Sequence, residues 1–242
     1  MEEKLFNKGF ITITLINFIV YLVYYLMMVI IAVIAHDQLH ASFGQAGLAS
    51  GIYIIGTLVA RLIMGKELEI IGRKRVARWG AIFYLITTAA YMFVPTIAIL
   101  DTVRLLNGFA YGMTSTALNA IVTEFIPEQR KGEGINYYGL STSLAAAIGP
   151  FIGLLLLNAT SFHFIVILSV VLIALSMLAL FAIQINNVVL TPEHLAELKS
   201  WKVSSFIEYK VLLIAFIGFL MGLSYSSVLS FLASYAETLN LV

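Results

Sequence analysis

Arg61 and Arg104 lie inside apolar runs of the chain, where a charged side chain needs a compensating environment. Arg61 lies a turn before Gly65, and we predict that its side chain extends to the cytoplasmic face. Arg104 falls in the run from 101 to 125. An arginine well inside a bilayer costs about 2.5 kcal/mol or more unless it faces a cavity or a partner. Asp101 lies three residues earlier on the same helical face, so an ion pair is one interpretation. A functional charge is the other, and the spacing leaves both open.

Histidines offer a second kind of chemistry, metal binding. His36 and His40 are spaced to share a helical face, with Asp37 beside the first. Zinc sites take three or four protein ligands, and no third ligand follows, so we predict an interfacial pair and no metal site. Cysteine is absent, which excludes disulfides and thiol catalysis. Without a catalytic serine motif or a phosphate-binding loop, the sequence predicts neither an enzyme nor a cofactor.

The elements that hold these residues are those of a membrane protein. Apolar residues make up 61% of the 242 residues, charged residues 11%, and the mean hydropathy is +0.98. Soluble domains carry about 25% charged residues. The net charge of +1 gives no reason to expect nucleic acid as a partner. We therefore predict an all-α polytopic protein of the cell membrane, whose partner is the lipid bilayer.

Several apolar runs are long enough to cross a bilayer. They cover residues 10 to 35, 43 to 64, 77 to 98, 101 to 125, 136 to 158, 161 to 185 and 210 to 236. Nearly all lysines and arginines fall on one side of this set, so the positive-inside bias predicts a cytoplasmic N-terminus. The predicted domains are a six-helix unit over 1–185, a cytoplasmic linker with a short interfacial helix over 186–209, and a seventh helix over 210–242.

A charged segment joins the second and third runs. It reads Gly65-Lys66-Glu67-Leu68-Glu69-Ile70-Ile71-Gly72-Arg73-Lys74-Arg75. Its basic residues place it in the cytoplasm by the same bias. We predict a short charged hinge on which two membrane helices turn around.

Small residues mark where the fifth helix packs. Ser141, Ala145, Gly149 and Gly153 repeat at a spacing of four, a pattern that lets helix backbones approach closely in lipid. Pro150 removes a backbone hydrogen bond. We predict a bend there, beside glycines that permit a tight crossing.

Three motifs together resemble the major facilitator superfamily, in particular its drug/proton antiporters. The hinge is similar to the family's loop Gly-x-x-x-Asp-Arg-x-Gly-Arg-Arg/Lys-Arg/Lys, with Glu69 at the Asp position. Arg104-Leu105-Leu106-Asn107-Gly108 is similar to the fourth-helix motif, an Arg followed four residues later by Gly. Gly149-Pro150-Phe151-Ile152-Gly153 is similar to the fifth-helix Gly-Pro-x-x-Gly-Gly. The resemblance implies a six-helix half-bundle followed by the first helix of a second half.

The resemblance also implies roles for individual residues. A cytoplasmic charge cluster would gate the transport cycle, and its members are Gly65, Glu69, Gly72, Arg73, Glu124 and Arg130. Arg104 and Asp101 would couple transport to protons. Gly149, Pro150 and Gly153 would form a hinge in the fifth helix. Helices one, four and seven line a central cavity in the family, so the predicted substrate contacts are Asn17, Tyr21, Tyr25, Asn107, Tyr111 and Tyr225. Packing between helices, and charges that only fix topology, are the alternatives.

The function that the resemblance implies is export of small amphipathic organic compounds in exchange for protons, by alternating access. A sugar or metabolite exporter of the same superfamily is the alternative among transporters. In another class, a truncated chain, or a half that needs a missing C-terminal partner, would not transport by itself because alternating access needs both halves. No Asp or Glu lies near the middle of any of the apolar runs.

Overall fold

The computed structural model describes residues 4–185 and 209–224 of the chain. The chain divides into two compact units, Met1–Leu195 and Ala196–Val242. The predicted linker over 186–209 lies almost wholly outside the described residues, so its interfacial helix stays a prediction.

Six long helices make up the described part of the first unit. Their bounds are α1 Lys8–Asp37, α2 Phe43–Ile71, α3 Arg73–Ala89, α4 Ile97–Val122, α5 Lys131–Ala159 and α6 Phe162–Ala182. Four of them begin at a side-chain cap that accepts a backbone N–H, given by Asn7, Ser42, Thr96 and Ser161. In the second unit, residues Leu212–Ser224 form a short apolar helix, α7.

Most of the described helices are built to cross a membrane. Five of the six long helices are long and apolar enough to do so, namely α1, α2, α3 with its continuation to Phe93, α5 and α6. The exception, α4, has 26 residues but places Arg104, Asn107, Thr114 and Ser115 in its buried face. A helix that carries polar groups inward marks the interior of a membrane bundle. The chain is a multi-pass integral membrane protein.

The packing of the six helices follows a repeated pattern. The closest pairs are α2 with α4 and α1 with α5, while α3 lies against α4 and α6 against α1. The helices α1, α2 and α3 correspond to α4, α5 and α6 in this order, because the pair α2–α4 then corresponds to α5–α1 and the pair α3–α4 to α6–α1. The bundle therefore contains two three-helix repeats. Internal repeats of this kind build many membrane transporters.

The turn between α2 and α3 is shorter than the sequence suggested. α2 continues unbroken to Ile71 and α3 begins at Arg73, so Gly72 alone separates them. Gly72 has φ 97°, a region that favours glycine. The predicted hinge is therefore wrong in its bounds because one glycine reverses the chain, and Gly65 lies within α2.

The histidine pair does not share a helical face. α1 ends at Asp37, and His40 lies beyond it with φ 52°. His36 Nδ1 lies 2.9 Å from the carbonyl oxygen of Ala41, and its ring stacks on Phe43 at 4.6 Å. His36 thus stabilises the turn between α1 and α2. Among the described residues, no group of three or more potential metal ligands comes together.

Candidate functional site

Arg104 is fully buried between α4 and α2, at 0% exposure. Its Nε donates to the carbonyl oxygen of Ala49 at 2.9 Å, and its Nη2 donates to that of Ser50 at 3.2 Å. The guanidinium carbon lies 4.4 Å from the ring centroid of Tyr53, which is a cation–π contact. Backbone dipoles and an aromatic face therefore stabilise this charge.

The ion pair between Arg104 and Asp101, one of the two interpretations that the spacing left open, is absent. None of the ion pairs among the described residues includes Arg104. Oδ1 of Asp101 is buried without a hydrogen-bond partner. The guanidinium reaches across to α2, where carbonyl oxygens accept its protons, and so the pairing interpretation is wrong. A role of either residue in proton coupling stays a prediction.

A hydrogen-bond chain connects Arg104 to α3. Nη1 of Arg104 donates to the hydroxyl of Tyr91 at 3.4 Å, and that hydroxyl donates to Oδ1 of Asn107 at 3.3 Å. Nδ2 of Asn107 donates to Thr87 at 2.9 Å and to Thr88 at 3.1 Å. Asn107 was predicted to line the cavity, but it is buried and faces α3 instead. It holds Tyr91 against Arg104.

Stacked tyrosine rings extend from the guanidinium. The ring of Tyr24 stacks on Tyr53 at 5.2 Å and on Tyr111 at 4.9 Å, between centroids. Tyr21 meets Tyr111 edge-on at 5.4 Å, and Tyr84 lies 6.0 Å from it. These distances are in the favourable range for aromatic pairs. The rings join α1, α2, α3 and α4 around one buried charge.

The predicted cavity residues separate into two groups. Tyr21 and Tyr25 are half-buried and keep part of their rings accessible, whereas Asn17 and Tyr111 are buried. Tyr225 lies outside the described residues. Accessible surface of this aromatic cluster therefore comes from α1.

Asn17 connects α1 to α5 through neutral groups. Its Nδ2 donates to the Ser141 hydroxyl at 2.9 Å, and its Oδ1 accepts from the Tyr138 hydroxyl at 2.8 Å. Tyr138 also lies 3.0 Å from Oδ1 of Asn119 on α4. This network fixes the register of α1 against α5 without any charge.

Glycines let α5 approach α1 closely. A Cβ at Gly149 would come within 2.8 Å of the Cβ of Tyr25, and one at Gly153 within 2.9 Å of the carbonyl oxygen of Leu26. α5 is one continuous helix through Pro150. The small residues act as the sequence indicated, in close crossing, and the hinge stays a prediction.

The crossing of α2 and α4 is tighter still. A Cβ at Gly108 would collide with the carbonyl oxygen of Tyr53, and one at Gly56 with that of Leu105. The hydroxyl of Thr57 donates to the carbonyl oxygen of Gly108 at 3.0 Å. Backbone contact along both helices therefore keeps Ala49 and Ser50 within reach of Arg104.

The predicted charge cluster assembles at the end of the bundle where Gly72 lies, which we call the basic end. Arg73 pairs with Glu69 at 2.6 Å and with Glu124 at 3.4 Å, and its Nη1 donates to the carbonyl oxygen of Ala120 at 3.2 Å. One guanidinium thus joins α2, α3 and the end of α4. Its side chain is 18% exposed.

Two other predicted members of the cluster have different surroundings. Arg130 forms a pair of 2.7 Å hydrogen bonds with Glu133. A Cβ added at Gly65 would meet no atom within 4 Å. Their roles in gating stay predictions.

Sequence reasoning missed several residues of the site. Tyr24, Tyr53 and Tyr84 belong to the aromatic cluster, and Tyr91 accepts a hydrogen bond from Arg104, but none of the four was selected. Tyr21, Tyr24 and Tyr25 fall within one turn and a half of α1, and that density was the available signal. Nothing in the sequence aligns Tyr53 with Arg104, because their contact depends on the crossing of α2 and α4.

Comparisons with known proteins agree with this architecture. The family model described as Major Facilitator Superfamily matches residues 13–242. Multidrug resistance protein 3 of Bacillus subtilis is 26% identical over 136 residues, which cover 56% of this chain and 27% of that protein. Multidrug resistance protein MdtL of Escherichia coli is 26% identical over 148 residues, which cover 61% of this chain and 38% of that protein.

Solved structures share the fold. A crystal structure of a peptide transporter POT in complex with sulfate superposes with a TM-score of 0.68 at 18% identity. The match covers 94% of this chain and 46% of that one. The chain therefore spans about half of that transporter, and a smaller share of each relative is aligned.

Proposed function

Because the chain belongs to the Major Facilitator Superfamily, a family of membrane transporters, we propose that it forms the first half of an exporter of small amphipathic organic compounds. Residues 1–185 would be the six-helix half, and 210–242 would begin the second half. Export would follow alternating access, in which two halves rock about a central site. Protons moving inward would supply the driving force.

Arg104 is the observation that carries this proposal. Burying an ionised side chain costs free energy, and inside a membrane such groups mark substrate or ion pathways by default. This guanidinium contacts backbone carbonyls, a hydroxyl and an aromatic ring. A purely structural requirement would be met at lower cost by an apolar residue. The names of the two bacterial relatives support export of drugs as the activity.

The charge cluster at the basic end supports the alternating part of the cycle. Arg73 binds two acids on different helices and remains partly solvated. Ion pairs of this kind can form when a bundle closes at one end and break when it opens. We infer that the basic end is cytoplasmic and that Arg73, Glu69 and Glu124 stabilise the state that is closed there.

The test replaces Arg104 with alanine in the native gene. Cells loaded with an amphipathic dye should lose it more slowly than wild type, and a collapsed proton gradient should slow wild type to the same rate. Membrane abundance of the variant is measured by immunoblot as a control. Export by Arg104→Ala at the wild-type rate and with the same gradient dependence would refute the proposed role.

A further inference from the structure

Besides Arg104 in α4, a second arginine lies within a membrane span. This residue, Arg61, belongs to α2, and it is exposed. Arg61 lies about 15 Å along the helix axis before Ile71, where α2 ends. The sequence suggested that Arg61 reaches the cytoplasmic face by extending its side chain. Arg61 lies inside the apolar run from 43 to 64, one turn before Gly65, and that extension of its side chain stays a prediction.

Arg61 has no compensating contact in the described part of the chain. No hydrogen bond or ion pair joins it to another described residue. Arg61 follows Tyr53 by about two helical turns on α2, and the ring of Tyr53 stacks on Tyr24 of α1 at 5.2 Å. An exposed, uncompensated arginine within a membrane span indicates a functional site.

Accessible aromatic surface lies next to this charge. We call Tyr21, Tyr24 and Tyr25 the tyrosine shelf, since all three are half-buried on α1. Tyr24 and Tyr25 lie 4.7 Å apart between ring centroids, and Tyr24 stacks on the buried rings of Tyr53 and Tyr111. The shelf therefore has rigid support behind it and open edges in front.

The charges around the shelf have one sign. The described acidic residues lie near the ends of the helices: Asp37, Glu67, Glu69, Asp101, Glu124, Glu128 and Glu133. Arg104 lies behind the shelf and Arg61 beside it. The potential over the shelf is consequently positive.

We propose that Arg61 and the tyrosine shelf form a binding site for aromatic monoanions, such as aryl carboxylates. This inference rests on the proposed function and narrows its substrate class. Tyrosine faces stack on arenes, while the guanidinium and the tyrosine hydroxyls donate to a carboxylate. A permanent cation on the shelf meets two positive charges. At about 10 Å, and at the effective dielectric of a protein surface, one such charge changes affinity by roughly tenfold.

The experiment compares two probes of equal aromatic size, 2-naphthoate and (2-naphthylmethyl)trimethylammonium. The full chain is reconstituted in nanodiscs of uncharged phosphatidylcholine, so that no anionic lipid competes, and binding is measured by equilibrium dialysis. We expect naphthoate to bind at least tenfold more tightly than the ammonium probe. Arg61→Gln should weaken naphthoate at least fivefold and leave the ammonium probe unchanged or tighter. Tyr24→Leu should weaken both.

Two further variants make the result specific. Arg61→Lys keeps the charge and should retain most of the preference for the anion. Lys131→Gln removes a positive charge at the basic end, where Lys131 pairs with Glu128 at 2.7 Å, and should change neither affinity. Equal affinities of the two probes in wild type, or unchanged naphthoate binding in Arg61→Gln, would overturn the proposal.

Failure of this site and failure of the exporter proposal give different results. If the Arg61 effect on naphthoate binding is found but Arg104→Ala cells export normally, the binding site stands and the role of Arg104 in export falls. If Arg104→Ala abolishes export while Arg61→Gln leaves naphthoate binding unchanged, the anion site falls and export stands.

Discussion

Arg104 and Arg73 carry the same charge in opposite surroundings. Arg104 is fully buried and donates to fixed backbone carbonyls of α2. Arg73 is partly solvated and binds the carboxylates of Glu69 and Glu124. Carbonyls in a helix cannot swing away, whereas carboxylate side chains at helix ends can. The difference suggests a permanent charge inside the bundle and a releasable contact at its basic end.

The strongest test of that contrast removes the charge of Arg104 but keeps its volume. Arg104→Met should bring export down to background, because the proposed role depends on the charge. The fold should remain as stable or become more stable, since replacing a buried ion with an apolar side chain is often neutral or stabilising by about 1–4 kcal/mol. Export from cells and thermal unfolding of the purified chain give the two readings.

Arg104→Lys serves as the companion variant, because it keeps the charge but loses the planar fork that reaches two carbonyls. Partial export by this variant is expected. A strongly destabilised Arg104→Met with unimpaired export would mean that the buried arginine is structural only.

The next largest effect concerns the crossing that presents Ala49 and Ser50 to Arg104. Gly108→Ala should destabilise the chain by about 2 kcal/mol, because its Cβ would collide with the Tyr53 carbonyl and force α2 away from α4. Gly65→Ala is the matched control: it meets open space and should gain up to about 1 kcal/mol of helix propensity. Chemical unfolding measures both. Similar changes in unfolding free energy for the two variants would show that α2 and α4 can move apart without loss of stability.

Much of the fold was legible in the sequence, and much of the site was not. Apolar runs predicted the membrane helices, and the family resemblance predicted that Glu69, Arg73 and Glu124 come together. The sequence offered Asp101 as one interpretation for a partner of Arg104 because it is near along the helix, while Ala49 and Ser50 become near only when α2 crosses α4. Every residue type has a backbone carbonyl, so the sequence does not reveal which carbonyls accept hydrogen bonds from Arg104. The extent of α2 was also underestimated, since polar residues near Gly65 look like a loop while remaining helical.

A smaller effect is expected where Arg104 is held from the side of α3. Asn107→Leu removes two hydrogen bonds to Thr87 and Thr88 and one from Tyr91. We expect a loss of about 1–2 kcal/mol, because Thr87 also donates to α3 carbonyls and is not left unsatisfied. Asn158→Leu, at an exposed position near the end of α5, should change the free energy of unfolding little. An equal loss in both variants would argue against the positioning network.

The smallest effect on stability is expected at the basic end, and its dependence on salt separates the two arginines. Glu124→Gln removes one of the two carboxylates from Arg73, and partly exposed pairs contribute about 0.2–1 kcal/mol. In 1 M salt the Debye length falls to about 3 Å, so the difference from wild type in unfolding free energy should nearly vanish. Arg73→Met should behave alike, and the Arg73→Met, Glu124→Gln double variant should show a coupling that salt removes.

Arg104→Met should keep its effect on export at every salt concentration, because salt cannot screen a charge that water does not reach. If the coupling between Arg73 and Glu124 did not depend on salt, the contacts of Arg73 would be as permanent as those of Arg104. The contrast between the two arginines would then be lost.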